Sequence, residues 1–129
     1  MPPKPRLTVL AGRYTLHRLA AQADIPPEVT RSGFFAVTRT DEELSIVAPA
    51  GVAVPDARSD PGWACLKVAG PLDFGLVGIL AGLSAALAEA GISIFALSTF
   101  DTDYILVKAE KLETAVKALE ARGYEISGK

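Results

Sequence analysis

The second half of the chain alternates between apolar runs typical of strands and apolar stripes typical of helices. Short β-prone runs occupy residues 63–68, 92–98, 103–108 and 124–126. Spacings of three, four and seven, which place side chains on one helical face, occur in two stripes. The first stripe has apolar residues at 76, 79, 80, 83, 87 and 90, and the second at 112, 115, 116 and 119. The pattern predicts strand, helix, strand, strand, helix, strand, with the last helix over residues 110–122.

The two predicted helices end in the same way. Residues 89–94 read Glu-Ala-Gly-Ile-Ser-Ile, and residues 121–126 read Ala-Arg-Gly-Tyr-Glu-Ile. In each stretch a glycine, Gly91 or Gly123, suits the left-handed conformation that ends a helix, and a β-prone segment follows at once. The order βαββαβ is that of the ferredoxin-like arrangement.

The first half of the chain is richer in strands and poorer in helices. Runs at 7–10, 14–20, 34–38 and 44–47 predict strands. Residues 26–30 begin with two prolines and predict a short helix or turn, for which Asp24 is a candidate cap. Residues 49–61 concentrate proline, glycine and aspartate, as linkers do.

These elements predict an α+β fold in two modules. Residues 61–129 form the complete ferredoxin-like βαββαβ module. Residues 1–60 form a reduced copy of it together with the linker. In both modules we expect antiparallel sheets with helices on one face.

Composition narrows the range of partners. The chain has 129 residues, of which half are hydrophobic and 22% charged, and its net charge is −2. No basic block is present, which argues against nucleic acid and against an anionic membrane surface. The longest apolar run, residues 76–88, is shorter than the ~20 residues of a membrane span. Since no long apolar segment follows the basic N-terminus either, the sequence predicts a cytoplasmic protein without a signal peptide.

Residues 70–78 form the first candidate site, a glycine-containing loop before a helix. Helix N-termini offer unpaired N–H groups and a partial positive charge, which suit a carboxylate or phosphate. Gly75 and Gly78 would let a ligand approach the backbone closely. The structural interpretation, in which Asp73 caps the helix and the glycines ease its packing, is the one that spacing alone favours.

Residues 98–103, Ser-Thr-Phe-Asp-Thr-Asp, form the second candidate site. Short polar side chains of this kind stabilise turns by bonding their own backbone. Alternatively, a carboxylate here would hold a ligand ammonium while the hydroxyls bond the ligand's polar end. Phe74 and Phe100 lie in the two candidate loops, where they would either line a ligand-binding pocket or pack the two modules against each other.

No catalytic group is evident. His17 is the single histidine and lies on a predicted strand, and we find no nucleophile beside a base. The single cysteine, Cys65, cannot form an internal disulfide, and alternation places it on the strand face away from Leu66, as a buried inert thiol or an interface residue. Neither His17 nor Cys65 has another metal-binding side chain near it in the sequence at the spacing that metal sites show. The sequence therefore predicts a protein that is not an enzyme and holds no metal or cofactor.

The chain resembles the ACT domain family, in particular its CASTOR-type branch of small bacterial tandem-ACT proteins and eukaryotic arginine sensors. The resemblance is carried by residues 87–107, with the run Ser-Thr-Phe-Asp-Thr-Asp, and in the first half by residues 33–40 and 43–47. It covers nearly the whole chain. It implies two ACT modules, of which the first is reduced.

The resemblance also implies a function. ACT domains bind amino acids at interfaces between domains and thereby regulate enzymes or transporters allosterically. Carried over position by position, the expected ligand contacts are Asp73, Phe74, Gly75, Leu76, Val77, Thr99, Phe100 and Asp103. The helix N-terminus would take the α-carboxylate, and a carboxylate would take an ammonium or guanidinium group.

A homodimer is expected for two reasons. The sensors have four ACT modules, whereas this chain has room for two. The strands at 92–98 and 103–108 are apolar on both faces and need more cover than two helices provide. The alternative is an interaction module that binds a protein partner through its surface and takes no small ligand.

Overall fold

The computed structural model describes residues 4–70 and 77–129. These residues form an α+β fold, as predicted. Its strands are β1 (Arg6–Val9), β2 (Tyr14–Leu19), β3 (Ala36–Arg39), β4 (Leu44–Pro49), β5 (Arg58–Val68), β6 (Phe95–Ser98), β7 (Asp103–Lys108) and β8 (Glu125–Ser127). Its helices are α1 (Pro27–Thr30), α2 (Ile79–Glu89) and α3 (Leu112–Ala121), and a single 3-10 turn precedes α3.

The chain folds into two compact units. The larger unit combines the residues up to Ala11 with Ala64–Lys129, and the smaller unit is Gly12–Trp63. Strand β5 supplies residues to both. The division into domains at 1–60 and 61–129 stays a prediction, and β1 belongs to the larger unit.

The sheet of the larger unit has the strand order β6-β7-β5-β1-β8. Strands β5, β6, β7 and β8 with helices α2 and α3 form the predicted ferredoxin-like βαββαβ module. Strand β1 lies between the first and last strands of that module. It runs antiparallel to β5, where Leu7 is opposite Val68, and parallel to β8, where Leu7 is opposite Ile126. The expectation of purely antiparallel pairing is therefore wrong for β1 and β8.

The core of the larger unit lies between this sheet and its two helices. Both helices contribute to one apolar cluster, α2 through Leu83 and Leu87 and α3 through Leu119, all fully buried. Since alternate strand residues such as Leu66 join the same cluster, both helices cover one face of the sheet. Each such leucine contributes about 1.5–3 kcal/mol by its burial.

The predicted helix exits are confirmed in detail. Gly91 has φ +74° and Gly123 has φ +91°. The N–H of Ile92 bonds the carbonyl of Leu87 at 3.0 Å, and the N–H of Tyr124 bonds that of Leu119 at 3.1 Å. Both are the six-to-one bonds of a Schellman motif. Because Ile92 is used to terminate α2, β6 begins later than predicted, at Phe95.

The smaller unit has the strand order β3-β4-β2-β5, with antiparallel pairing throughout. Its apolar cluster contains Leu19, Val29, Leu44, Ile46 and Ala48. Helix α1 has only four residues, as the short helix predicted from the prolines implies.

Two further predictions need correction. The linker does not extend to residue 61, because Arg58, Ser59 and Asp60 already pair with β2 through their backbones. Strand β6 is not covered on both sides, since Ala96 and Ser98 are exposed. Strand β7, in contrast, has Ile105 and Leu106 fully buried on opposite faces, as expected.

Candidate functional site

The predicted site residues divide into two groups. Asp73, Phe74, Gly75 and Leu76 lie outside the described residues. Val77, Thr99, Phe100 and Asp103 are described, and all four belong to the larger unit.

The turn between β6 and β7 is fastened to the end of β5. The Thr102 hydroxyl donates a 2.7 Å hydrogen bond to the carbonyl of Val68, the last residue of β5. The Thr102 side chain is buried, at 5% exposure. The polar turn therefore lies beside the strand end that leads into the 70–78 loop.

The turn is also closed by its own side chains, as the turn interpretation of the sequence requires. The N–H of Thr99 bonds the carbonyl of Thr102 at 2.8 Å. The Thr99 hydroxyl donates to the same carbonyl at 3.1 Å and accepts from the Thr102 N–H at 3.2 Å. This is a Ser/Thr turn, and it fixes the backbone on which Phe100 and Asp101 lie.

Asp103 is held at the start of β7 by a residue directly across the strand pair. Ser98 is opposite Asp103 in the register of β6 and β7. The Ser98 hydroxyl donates to Oδ1 of Asp103 at 2.6 Å. Bonds from a hydroxyl to a carboxylate are short and strong, so the half-buried Asp103 carboxylate has a defined orientation.

The hydrogen bonds of the turn determine what it offers a ligand. The hydroxyl protons of Ser98, Thr99 and Thr102 all go to acceptors within the larger unit. The side chains left to face a ligand are acceptors, namely the remaining lone pairs of Asp103 and the exposed carboxylate of Asp101. Such a surface suits an ammonium or guanidinium group and disfavours an anion.

Helix α2 begins at Ile79, directly after Gly78. Gly78 occupies the N-cap position with φ +81°, and no side chain among residues 4–70 and 77–129 caps the helix. Asp73 lies outside the described residues, so its interpretation as a cap stays a prediction. The first N–H groups of a helix have no partner within the helix itself, so they can bond a ligand or water.

Two apolar side chains of the predicted site are strongly exposed. Val77 is 91% and Phe100 is 80% exposed. In the described part of the larger unit they are the exposed large hydrophobic residues. One lies just before α2 and the other in the β6–β7 turn, so both candidate loops carry apolar surface in contact with water.

Ser98 and Thr102 were not among the predicted ligand contacts. They hold the site in shape, Ser98 through Asp103 and Thr102 through Val68. The sequence signal for them was the hydroxyl-rich run itself, but the run does not show that Thr102 bonds a carbonyl 34 residues earlier.

Other reactive groups lie elsewhere. Cys65 is fully buried on the face of β5 opposite Leu66, and burial raises the pKa of its thiol to about 12, which makes it the inert thiol that was predicted. No cluster of metal-binding side chains occurs within the described ranges. None of the helices there is long and apolar enough to cross a membrane.

Two surface grooves are formed by other residues. One, of about 330 Å³, follows α3 and Lys129, and the other, of about 410 Å³, lies in the smaller unit beside Leu19, Pro26 and Pro55. None of the predicted ligand contacts lines either groove.

Comparison with known proteins supports the resemblance drawn from the sequence. Residues 58–121 match the family model of the ACT domain. Residues 12–55 match a second model, described as an N-terminal domain. The two matched segments correspond closely to β5 through α3 and to the smaller unit.

A curated protein resembles this chain in sequence, and a solved structure resembles it in sequence and fold. The human cytosolic arginine sensor for mTORC1 subunit 1 is 30% identical over 108 residues, which are 78% of this chain and 33% of the human protein. The chain thus spans about a third of the length of that relative. A solved structure of an Agobacterium tumefaciens protein is 40% identical, covers 97% of this chain and 93% of its own, and has a TM-score of 0.89.

A more distant likeness concerns the fold alone. The regulatory subunit of aspartate kinase from Thermus flavus is 10% identical, with a TM-score of 0.65 over 93% of this chain and 98% of its own. Through the matched domain and these relatives, the chain belongs to the ACT domain family.

Proposed function

We propose that this chain is a non-catalytic ACT regulatory module that binds an amino acid at an interface between domains or protomers. The observation that carries the proposal is the 2.7 Å hydrogen bond from Thr102 to Val68. It brings the acceptor-rich turn next to the strand end from which the chain continues toward the N-terminus of α2.

The two ends of an amino acid match these two features. The N-terminus of α2 carries a partial positive charge and N–H groups that have no partner within the helix, which suit the α-carboxylate. Asp103, already oriented by Ser98, suits an ammonium or guanidinium group. The human relative is named as a cytosolic arginine sensor, so arginine is the first ligand to test here. On the same ground we propose that this chain is located in the cytoplasm.

We propose that a homodimer completes the site. Val77 and Phe100 are exposed beside the proposed ligand position, and a second protomer would cover them together with the ligand.

A thermal-shift screen of the purified chain against the twenty amino acids and common nucleotides tests this function. A ligand at about a hundred times its Kd stabilises the folded state by about 2.7 kcal/mol. In a domain of this size that raises the Tm by several degrees.

The variant Asp103→Asn is expected to weaken binding of the confirmed ligand at least tenfold, because it removes the carboxylate charge and keeps the shape. Asp41→Asn is the matched control, since it makes the same change on an exposed residue of the β3–β4 turn, outside the proposed site. Titration calorimetry measures both variants. Equal affinity of Asp103→Asn and the parent would contradict the assignment of Asp103.

The alternative function is an interaction module without a small ligand, and the exposure of Val77 and Phe100 favours it specifically. Under this alternative the screen stays blank although the protein melts cooperatively. A pull-down then yields one stoichiometric partner, and Phe100→Ser abolishes its capture.

A further inference from the structure

The single histidine of the chain lies in the core of the smaller unit. His17 is on β2 and is only 7% exposed. Its neighbours in the sheet are Ile46 on β4 and Ser59 on β5. Alternation along β2 puts His17 on the same face as Leu19, and this face carries the apolar cluster of the unit.

The two ring nitrogens of His17 have different surroundings. Nδ1 lies 2.7 Å from the hydroxyl oxygen of Ser59. Nε2 is buried and has no hydrogen-bond partner among the described residues. A neutral ring fits this arrangement when Nδ1–H donates to Ser59 and Nε2 is a bare acceptor. A protonated ring does not fit, because its second N–H and its charge would be buried without an acceptor.

No charged side chain compensates for such a charge. The charged residues on the segments that cover this face are Asp24, Glu28, Arg31, Arg39 and Asp56. All of them are exposed to solvent, and in the described part of the chain none pairs with His17. The guanidinium of Arg39 donates to the backbone carbonyls of Ala21 and Ala23. The adjacent Arg18 and its cross-strand partner Arg58 point to the opposite face by alternation.

We infer that His17 makes the smaller unit an acid-sensitive element, whose sheet opens when the imidazole is protonated at mildly acidic pH. Burial lowers the pKa of His17 from its ordinary value of 6.5. In the opened unit the pKa returns to about 6.5. Below that pH the opened state binds more protons than the closed state, so the stability of the unit falls as the pH drops, until the pH reaches the lowered pKa. At neutral pH and above, the stability is fully present.

Hydrogen exchange of the full chain between pH 7.5 and pH 5.0 tests this inference. After correction for intrinsic exchange, the opening constant of amides in β2 and β4 is expected to rise by up to tenfold per pH unit below about 6.5. Amides of β7 and α3 are expected to show no such rise, because the larger unit contains no histidine.

Two variants locate the effect. His17→Gln is expected to remove the pH dependence, because glutamine does not titrate. Asp41→Asn, which changes an exposed charge in the β3–β4 turn, is expected to retain it.

The ring itself is observable in the unmodified chain, so the inference does not depend on the folding of a variant. As the chain has one histidine, an NMR titration gives one set of imidazole signals. The expected result is the Nδ1–H tautomer at neutral pH and a pKa below 6.5. A pKa of 6.5 or above would overturn the inference, and so would β2 and β4 amides that remain indifferent to pH.

Discussion

The larger and smaller units close their cores with different kinds of segment. In the larger unit, helices of 11 and 10 residues cover one face of the sheet. In the smaller unit, the cover is a four-residue helix and irregular segments that contribute residues such as Ile25 and Val54. Helical cover buries apolar residues with a regular period and supports itself through its own hydrogen bonds. Irregular cover has neither property, so we expect the smaller unit to be the one that opens more readily.

The largest expected effect compares the two cores directly. Leu87 on α2 and Leu44 on β4 are both fully buried, each in the cluster of its own unit. Truncation to alanine leaves a cavity in a packed site, and we expect each variant to lose about 2–5 kcal/mol of unfolding free energy. Denaturant unfolding measures the loss, and hydrogen exchange shows in which unit protection falls.

The comparison predicts a difference within that range. Irregular segments collapse into a cavity more easily than helices, so Leu44→Ala is expected to cost less than Leu87→Ala. A larger loss for Leu44→Ala would show that the irregular cover is packed as rigidly as the helices, and the contrast between the units would then fail.

A smaller effect concerns the glycines of the two units. Gly123 ends α3 with φ +91°, a conformation that costs an alanine about 1–2 kcal/mol. An added Cβ has room, since its nearest contact is Cδ of Lys4 at 3.8 Å. We therefore expect Gly123→Ala to lower the unfolding free energy by about 1–2 kcal/mol through backbone strain alone.

Gly33 of the smaller unit is the matched control. It has no positive φ, and an added Cβ would meet nothing within 4 Å. Gly33→Ala is expected to stabilise the chain by about 0.4–1 kcal/mol, because it restricts the unfolded state. Thermal unfolding of both variants checks the two signs, and the same sign for both would refute the argument from φ.

The elements predicted correctly from the sequence are those whose apolar residues recur at a regular spacing or whose ends are marked by a particular residue nearby. The helical stripes and the glycine exits at Gly91 and Gly123 depend on residues within a few positions of one another, so they are visible without a structure. The pairing of β1 with β8 was not predicted, because a strand of four residues contains no information about its distant neighbours. The start of β5 was missed because Ser59 and Asp60 have the composition of a turn yet pair through their backbones.

The candidate site shows the same limit. The run from Ser98 to Asp103 was recognised as both a turn and a ligand surface, and its internal hydrogen bonds bear out the turn. The bond from Thr102 to Val68 joins residues 34 positions apart. It depends on how β5 and β7 come together in the fold, which no local pattern encodes.

The smallest expected effect tests how tightly the helical cover of the larger unit is packed. Gly82 lies inside α2, and replacing a glycine inside a helix by alanine normally raises the unfolding free energy by about 0.5–1 kcal/mol. Here a Cβ would stand 2.9 Å from the hydroxyl oxygen of Tyr124. Because Tyr124 is only 7% exposed, its ring has little room to move, and we expect Gly82→Ala to gain nothing or to destabilise the chain slightly.

Tyr124→Phe removes the obstructing oxygen and leaves the ring in place. In the Tyr124→Phe background, Gly82→Ala is expected to raise the unfolding free energy by the usual amount for a helix, up to about 1 kcal/mol. The effects of the two substitutions on stability are therefore coupled. A double-mutant cycle of unfolding free energies measures the coupling. If Gly82→Ala had the same effect in both backgrounds, the hydroxyl contact would not limit the helix. The residue at position 82 would then be set by something other than packing against Tyr124.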